Sequence, residues 1–172
     1  MSATMRPEPS ECAPYYRDYV NAVPEGHIID ILEQQLSDTL LLLGDLSPER
    51  PDFRYADGKW SLKEVVGHVV DCERVFATRA LAFSRGDPAE MPGFEQDDYV
   101  AHGGFGERPF PNLLAEYEAL RMANLALFQG FSDEMMLRSG VANGSRFTVR
   151  ALVYIVAGHE RHHMQVIRER YL

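Results

Sequence analysis

The feature that most constrains this chain is an apolar repeat of three and four residues that returns in four separated segments. Ile28, Ile29, Leu32, Leu36, Leu40 and Leu43 form the first. That spacing puts them on one face of a helix, which Gly44 and Pro48 stop. The second opens at Ser61-Leu62-Lys63-Glu64, where a serine three residues ahead of a glutamate satisfies the free N–H groups of a helix start, and it runs to about Phe83. A third is expected from Asn112 to about Gln129 on Leu113, Leu114, Tyr117, Leu120, Leu125 and Phe128. The last is expected from Thr148 to about Arg170 on Val149, Leu152, Val153, Val156, Val166 and Ile167.

Four long amphipathic segments without a series of strands predict an all-α protein, an up-down four-helix bundle. Asn143-Gly144, inside Gly140 to Arg146, predicts a small hairpin before the last helix. Residues 1–23 are expected to be an N-terminal arm, extended as far as Pro24, and residues 24–172 the bundle domain. Glycines and prolines from Gly86 to Pro111 break every period for about 25 residues, a length that usually marks a functional loop. No internal repeat or low-complexity tract divides the chain.

Charge narrows the partners. With 26 acidic against 17 basic residues the net charge is -9, a field that repels phosphate backbones and anionic lipid heads, so neither nucleic acid nor membrane is an expected partner. The apolar runs are shorter than the ~20 residues a spanning helix needs. Met1 to Cys12 lacks the basic start and apolar run of an export signal. The two cysteines, Cys12 and Cys72, form no disulfide framework, and a reducing cytoplasm is the expected setting.

Three of the six histidines fall in Gly158-His159-Glu160-Arg161-His162-His163. Residues four apart on a helix stand one above the other, so His159 and His163 can offer two imidazoles to one ion. At about 100° per residue His163 lies about 40° from His159, among Leu152, Val156 and Ile167, whereas His162 falls about 60° the other way, suited to solvent or an outer role. His68, in the second helix, sits among Val65, Val69, Cys72 and Phe76 and points inward. Three nitrogen donors leave coordination positions for water or substrate, as in catalytic sites. Imidazole accepts zinc, nickel, iron, cobalt or copper, with zinc or nickel the expected ion.

A histidine on an apolar face is ordinarily a hydrogen-bonded core residue, and a His-x-x-x-His pair often lies on a surface helix by chance. It is their joint occurrence in one bundle that points to a metal. Asp71, Glu73 and Glu160 are candidate partners for the outer ring nitrogens. Asp97, Asp98, Tyr99 and Phe94 of the long loop are candidates for the pocket. Cys72 reads as inert packing and Trp60 as a core anchor at the helix entrance. His159-Glu160-Arg161-His162 spaces its histidines by three, which does not give zinc-protease geometry, and there is neither a phosphate loop nor a nucleophile elbow. Histidine ligation also predicts that metal affinity falls as pH drops through about 6.5.

Lys59 to His68, then Pro92-Gly93-Phe94-Glu95-Gln96-Asp97, then Gly158 to His163 resemble, in order and spacing, the DinB-like metalloenzymes, from about Ala13 to the C-terminus. The resemblance implies a bundle, often dimeric, with a divalent ion on one histidine of the second helix and two of the last, here His68, His159 and His163. Members with known activities include transferases that activate a low-molecular-weight thiol such as bacillithiol or mycothiol. The expected function is thus thiol-dependent S-transfer to a small electrophile, with a metal-dependent hydrolase or a non-catalytic metal- or ligand-binding stress protein as alternatives. A small-molecule substrate and a homodimer are the expected partners.

Overall fold

The computed structural model describes residues 5–172. Its α-helices are α1 (Arg17–Ala22), α2 (Ile28–Gly44), α3 (Leu62–Ser84), α4 (Gln96–His102), α5 (Phe110–Gln129), α6 (Asp133–Leu137) and α7 (Val149–Arg170), with a hairpin of β1 (Ser139–Ala142) and β2 (Ser145–Thr148) before the last. The expected all-α bundle with its hairpin is present. Among the described residues no helix is long and apolar enough to cross a membrane.

Local chemistry accounts for the helix ends that the sequence predicts well. Ser61 accepts the backbone N–H of Glu64 at 3.3 Å while the Glu64 carboxylate accepts that of Ser61 at 2.6 Å. Thr148 accepts the N–H of Ala151 at 3.2 Å and starts α7. Asn143 and Gly144 both take positive φ, 49° and 67°, the conformation a two-residue hairpin turn requires.

The long helices are not arranged in chain order. α3 packs on α7 and α5, and α2 packs on α5 and α7, so α2 and α3 lie across the bundle from one another. The 45–61 connection has the length to make that crossing. α7 is buried at every residue from Val149 to Glu160, because α1, α2 and α3 all pack on it.

Three segments depart from expectation. The 1–23 arm is not extended throughout: Arg17–Ala22 form a helical turn and a half docked on α7. The docking is close, since a Cβ on Gly158 would lie 1.9 Å from the Tyr19 carbonyl oxygen. Six residues carry no readable period, so only the partner surface makes this helix. Ahead of it Glu11 accepts Thr148 Oγ1 at 2.7 Å and Arg150 Nε at 2.7 Å, tying the segment to the start of α7. The Gly- and Pro-rich stretch from Arg85 is also more ordered than a loop. It contains α4, and Met91 pairs with the hairpin at Ala142. Finally, α5 begins two residues early, at Phe110.

Candidate metal centre

α3 and α7, the most extensively packed pair of helices, bring the three inward histidines together. His159 Nε2 stands 3.1 Å from His68 Nε2 and 3.1 Å from His163 Nε2. His68 and His159 are buried and His163 half-buried. The rings meet edge to face, with centroids 4.5 to 5.0 Å apart.

Burial holds all three rings neutral. Desolvation lowers the His68 pKa to about 4 and that of His163 to about 3, and it drives His159, which also faces its two neighbours, well below the ordinary value. A neutral imidazole has one N–H and one lone pair. His159 Nε2 can therefore donate to only one of the two nitrogens it faces, so internal protons leave the trio incompletely paired. A shared cation suits the two contacts of His159: nitrogens bound at ~2.0–2.1 Å to one tetrahedral ion lie ~3.3 Å apart, close to the 3.1 Å on either side of His159 Nε2. The residues present thus fit a divalent transition metal.

Cys72, read from sequence as inert packing, lies beside this cluster. Its Sγ is 3.6 Å from His68 Nδ1 and 3.7 Å from His68 Nε2, nearly equidistant from the two ring nitrogens. His68, Cys72 and His159 are spaced so that all three could reach one ion, a set in which Cys72 stands where the helical phase of α7 puts His163. Burial pushes the Cys72 thiol up to about 12, so without a metal it is protonated and a poor nucleophile. The Trp60 ring lies 4.9 Å from that of His68 and covers it.

A cleft of about 350 Å³ leads to His163 between the entrance of α3, α4 and the end of α7. Trp60, Lys59, Asp97 and His162 line it. Asp97 thus stands at the cleft, and its charge is felt by His68. His162 is exposed, 5.0 Å ring to ring from His163, as its helical phase indicates. Tyr99 lies elsewhere, in a smaller groove with Phe94, Arg74 and Arg79. Asp71 faces Arg74 at 3.9 Å.

Glu160 turns to a different cluster. Its carboxylate accepts Thr39 Oγ1 at 2.7 Å, Tyr117 Oη at 2.5 Å and Arg121 Nη2 at 2.7 Å. Glu73 accepts Arg121 Nε at 2.9 Å and Asn124 Nδ2 at 3.1 Å. No hydrogen bond from either carboxylate to a histidine occurs among the described residues. Arg121 is absent from the residues that the sequence singles out, although a charge four residues after Tyr117 and four before Leu125, on the apolar stripe, is the available signal. Tyr19 was missed as well. Its ring stands edge-on to His159 at 5.5 Å and to His162 at 5.6 Å.

Comparison with known proteins agrees with this architecture. Among solved structures the chain is similar to YfiT from Bacillus subtilis, described as a probable metal-dependent hydrolase with an unusual four-helix bundle topology. The TM-score is 0.72 at 19% identity, over 83% of this chain and 82% of that one. No protein with a curated description matches. The model of the DinB superfamily matches residues 31–167, most of the chain and all of the histidine cluster, and the protein therefore belongs to the DinB superfamily.

Proposed function

We propose that this protein is a metal-dependent enzyme acting on a small molecule, with one divalent transition metal, zinc or nickel, held by His68, His159 and His163. The observation that carries this reading is the meeting of three neutral ring nitrogens, at 3.1 Å from the central one, which their own protons leave incompletely paired. A divalent ion there would supply Lewis acidity and lower the pKa of a bound water or thiol. The protein's own part is to hold three lone pairs in register, keep the rings neutral by burial and admit a ligand through the cleft at His163.

The reaction we favour is transfer of a low-molecular-weight thiol to a small electrophile. Cys72 is the only thiol beside the histidines among the described residues, and it is kept protonated, so the nucleophile would come from outside the chain. Asp97 and Lys59 at the cleft give a small polar reactant a partner of either sign. A second reading, hydrolysis, draws on the description of YfiT, whose fold this chain shares. The proposal takes the cytoplasm as the setting and a homodimer as the form of the protein, neither of which decides between the two reactions.

The test uses protein loaded with one equivalent of zinc or nickel. Loss of free thiol in the presence of an alkylating electrophile, dependent on metal and abolished by His159→Ala, supports transfer. Cleavage of an activated ester without thiol supports hydrolysis. Neither activity from loaded protein would leave a metal-holding protein and remove the enzyme.

A further inference from the structure

A cavity larger than the cleft at the histidines lies on another side of α7. It measures about 660 Å³ and lies between α1, α2 and α7, and His162 is the one residue that lines both. Its charges are sorted by element. α7 contributes Arg161 and Arg168, whereas α1 contributes Asp18 and α2 contributes Asp38. Neither Arg168 nor Asp18 has a hydrogen bond or ion pair among the described residues, while Arg161 is anchored to the Ala22 carbonyl at 3.0 Å and Asp38 accepts Gln34 Nε2 at 2.9 Å. The rings of Tyr15 and Tyr19, edge to face at 6.1 Å, add an aromatic wall.

Gln35, 7% exposed, belongs to the same lining. Its Nε2 donates to the Ala157 carbonyl at 3.0 Å and to Glu160 Oε2 at 3.3 Å. Both partners are acceptors, so the amide cannot be turned over. Oε1 is then left buried with no polar partner within reach, the only buried side-chain polar atom so placed among the described residues. An unpaired buried acceptor is uncommon in a folded chain.

We propose that this cavity binds a small aromatic zwitterion of the amino-acid type. Its ammonium lies toward Asp18 and Asp38, on the side of the cavity that Gln35 lines. Its carboxylate lies toward Arg161 and Arg168, and its ring packs on Tyr15 and Tyr19. Two acidic and two basic groups on different elements suit a molecule carrying both charges better than a simple anion, which the net charge of -9 repels. The site stands independently of the metal reading.

Isothermal titration of the full chain, with and without added zinc, tests it. The probes are L-phenylalanine and L-tyrosine, together with phenethylamine and 3-phenylpropionate, which each keep one charge. Saturable binding of one amino acid per chain is expected, with both single-charge analogues weaker by about tenfold or more. Arg168→Gln and Asp38→Asn, two surface changes, are each expected to weaken it by about tenfold without altering zinc content. No saturable binding up to about 10 mM, equal binding of an analogue, or undiminished binding in both variants would overturn the proposal. So would light scattering that shows a dimer dispersed by Asp38→Arg, which would give the cavity to a second copy of the chain.

Discussion

Two clusters of buried polar side chains grow from neighbouring residues of the same two helices. His159 on α7 and Cys72 on α3 belong to one; Glu160 and Glu73, the next residues, belong to the other. In the second cluster both carboxylates are paired from within: Arg121, fully buried, lies 2.8 Å from Glu73 and 2.7 Å from Glu160, one cation shared by the two, and Thr39, Tyr117 and Asn124 donate to them as well. In the first, nitrogen faces nitrogen and the protein offers no sufficient set of donors. A buried cluster completed from within acts as framework; one left incomplete from within is built for something that arrives.

The sharpest way to break this comparison is to open the completed cluster. Arg121→Ala leaves two buried carboxylates without their cation and is expected to cost about 3–5 kcal/mol of stability in urea unfolding. A loss below about 1 kcal/mol would show that the network is not framework.

The incomplete cluster should behave in the opposite sense, gaining stability from an added ion. Zinc at about a hundred times its dissociation constant should stabilise the parent by about 2.7 kcal/mol and leave His68→Ala, His159→Ala and His163→Ala in combination unmoved. Equal stabilisation of parent and triple variant in thermal melts would remove the histidines from the site.

Acid sharpens the same contrast in metal-free protein. His68 and His163 have folded pKa values lowered to about 4 and about 3, against about 6.5 in an unfolded chain. Between about pH 6.5 and 4 the unfolded chain takes up protons that the folded one refuses. Stability should fall with falling pH, by about 1.4 kcal/mol per unit for each histidine, and these two should contribute nothing above that window. Replacing both by asparagine should flatten the slope, and an unchanged profile would contradict the neutral buried trio.

The smallest effect decides between an open and a closed centre. Cys72→Ala should cost about 1 kcal/mol, as removal of a small buried apolar group does, and leave one metal per chain by elemental analysis. Loss of the ion would make Cys72 a fourth ligand and close the centre.

Much of this fold is legible in local chemistry. Ser61 with Glu64, and Thr148, mark the starts of α3 and α7 because capping depends on residues three apart, and Asn143-Gly144 marks the hairpin because its dihedrals suit few other pairs. The choice of His163 over His162 follows from helical phase alone. Arg121 was visible as a charge on an apolar stripe, but its role was not, since its partners Glu73 and Glu160 lie 48 and 39 residues away.

By itself, then, the sequence determined four amphipathic helices, the capped starts of two of them, and which faces carry His68, His159 and His163, because these depend on spacing within one helix. Only the tertiary structure decided what meets across helices. It set α2 and α3 across the bundle from each other, put the Cys72 thiol beside His68 and turned Glu160 to Arg121 rather than to a histidine. It also seated Arg17–Ala22 on Gly158, where the missing side chain lets the Tyr19 backbone approach. Contacts of this kind depend on volume and pairing between segments distant in the chain, and no local period encodes them.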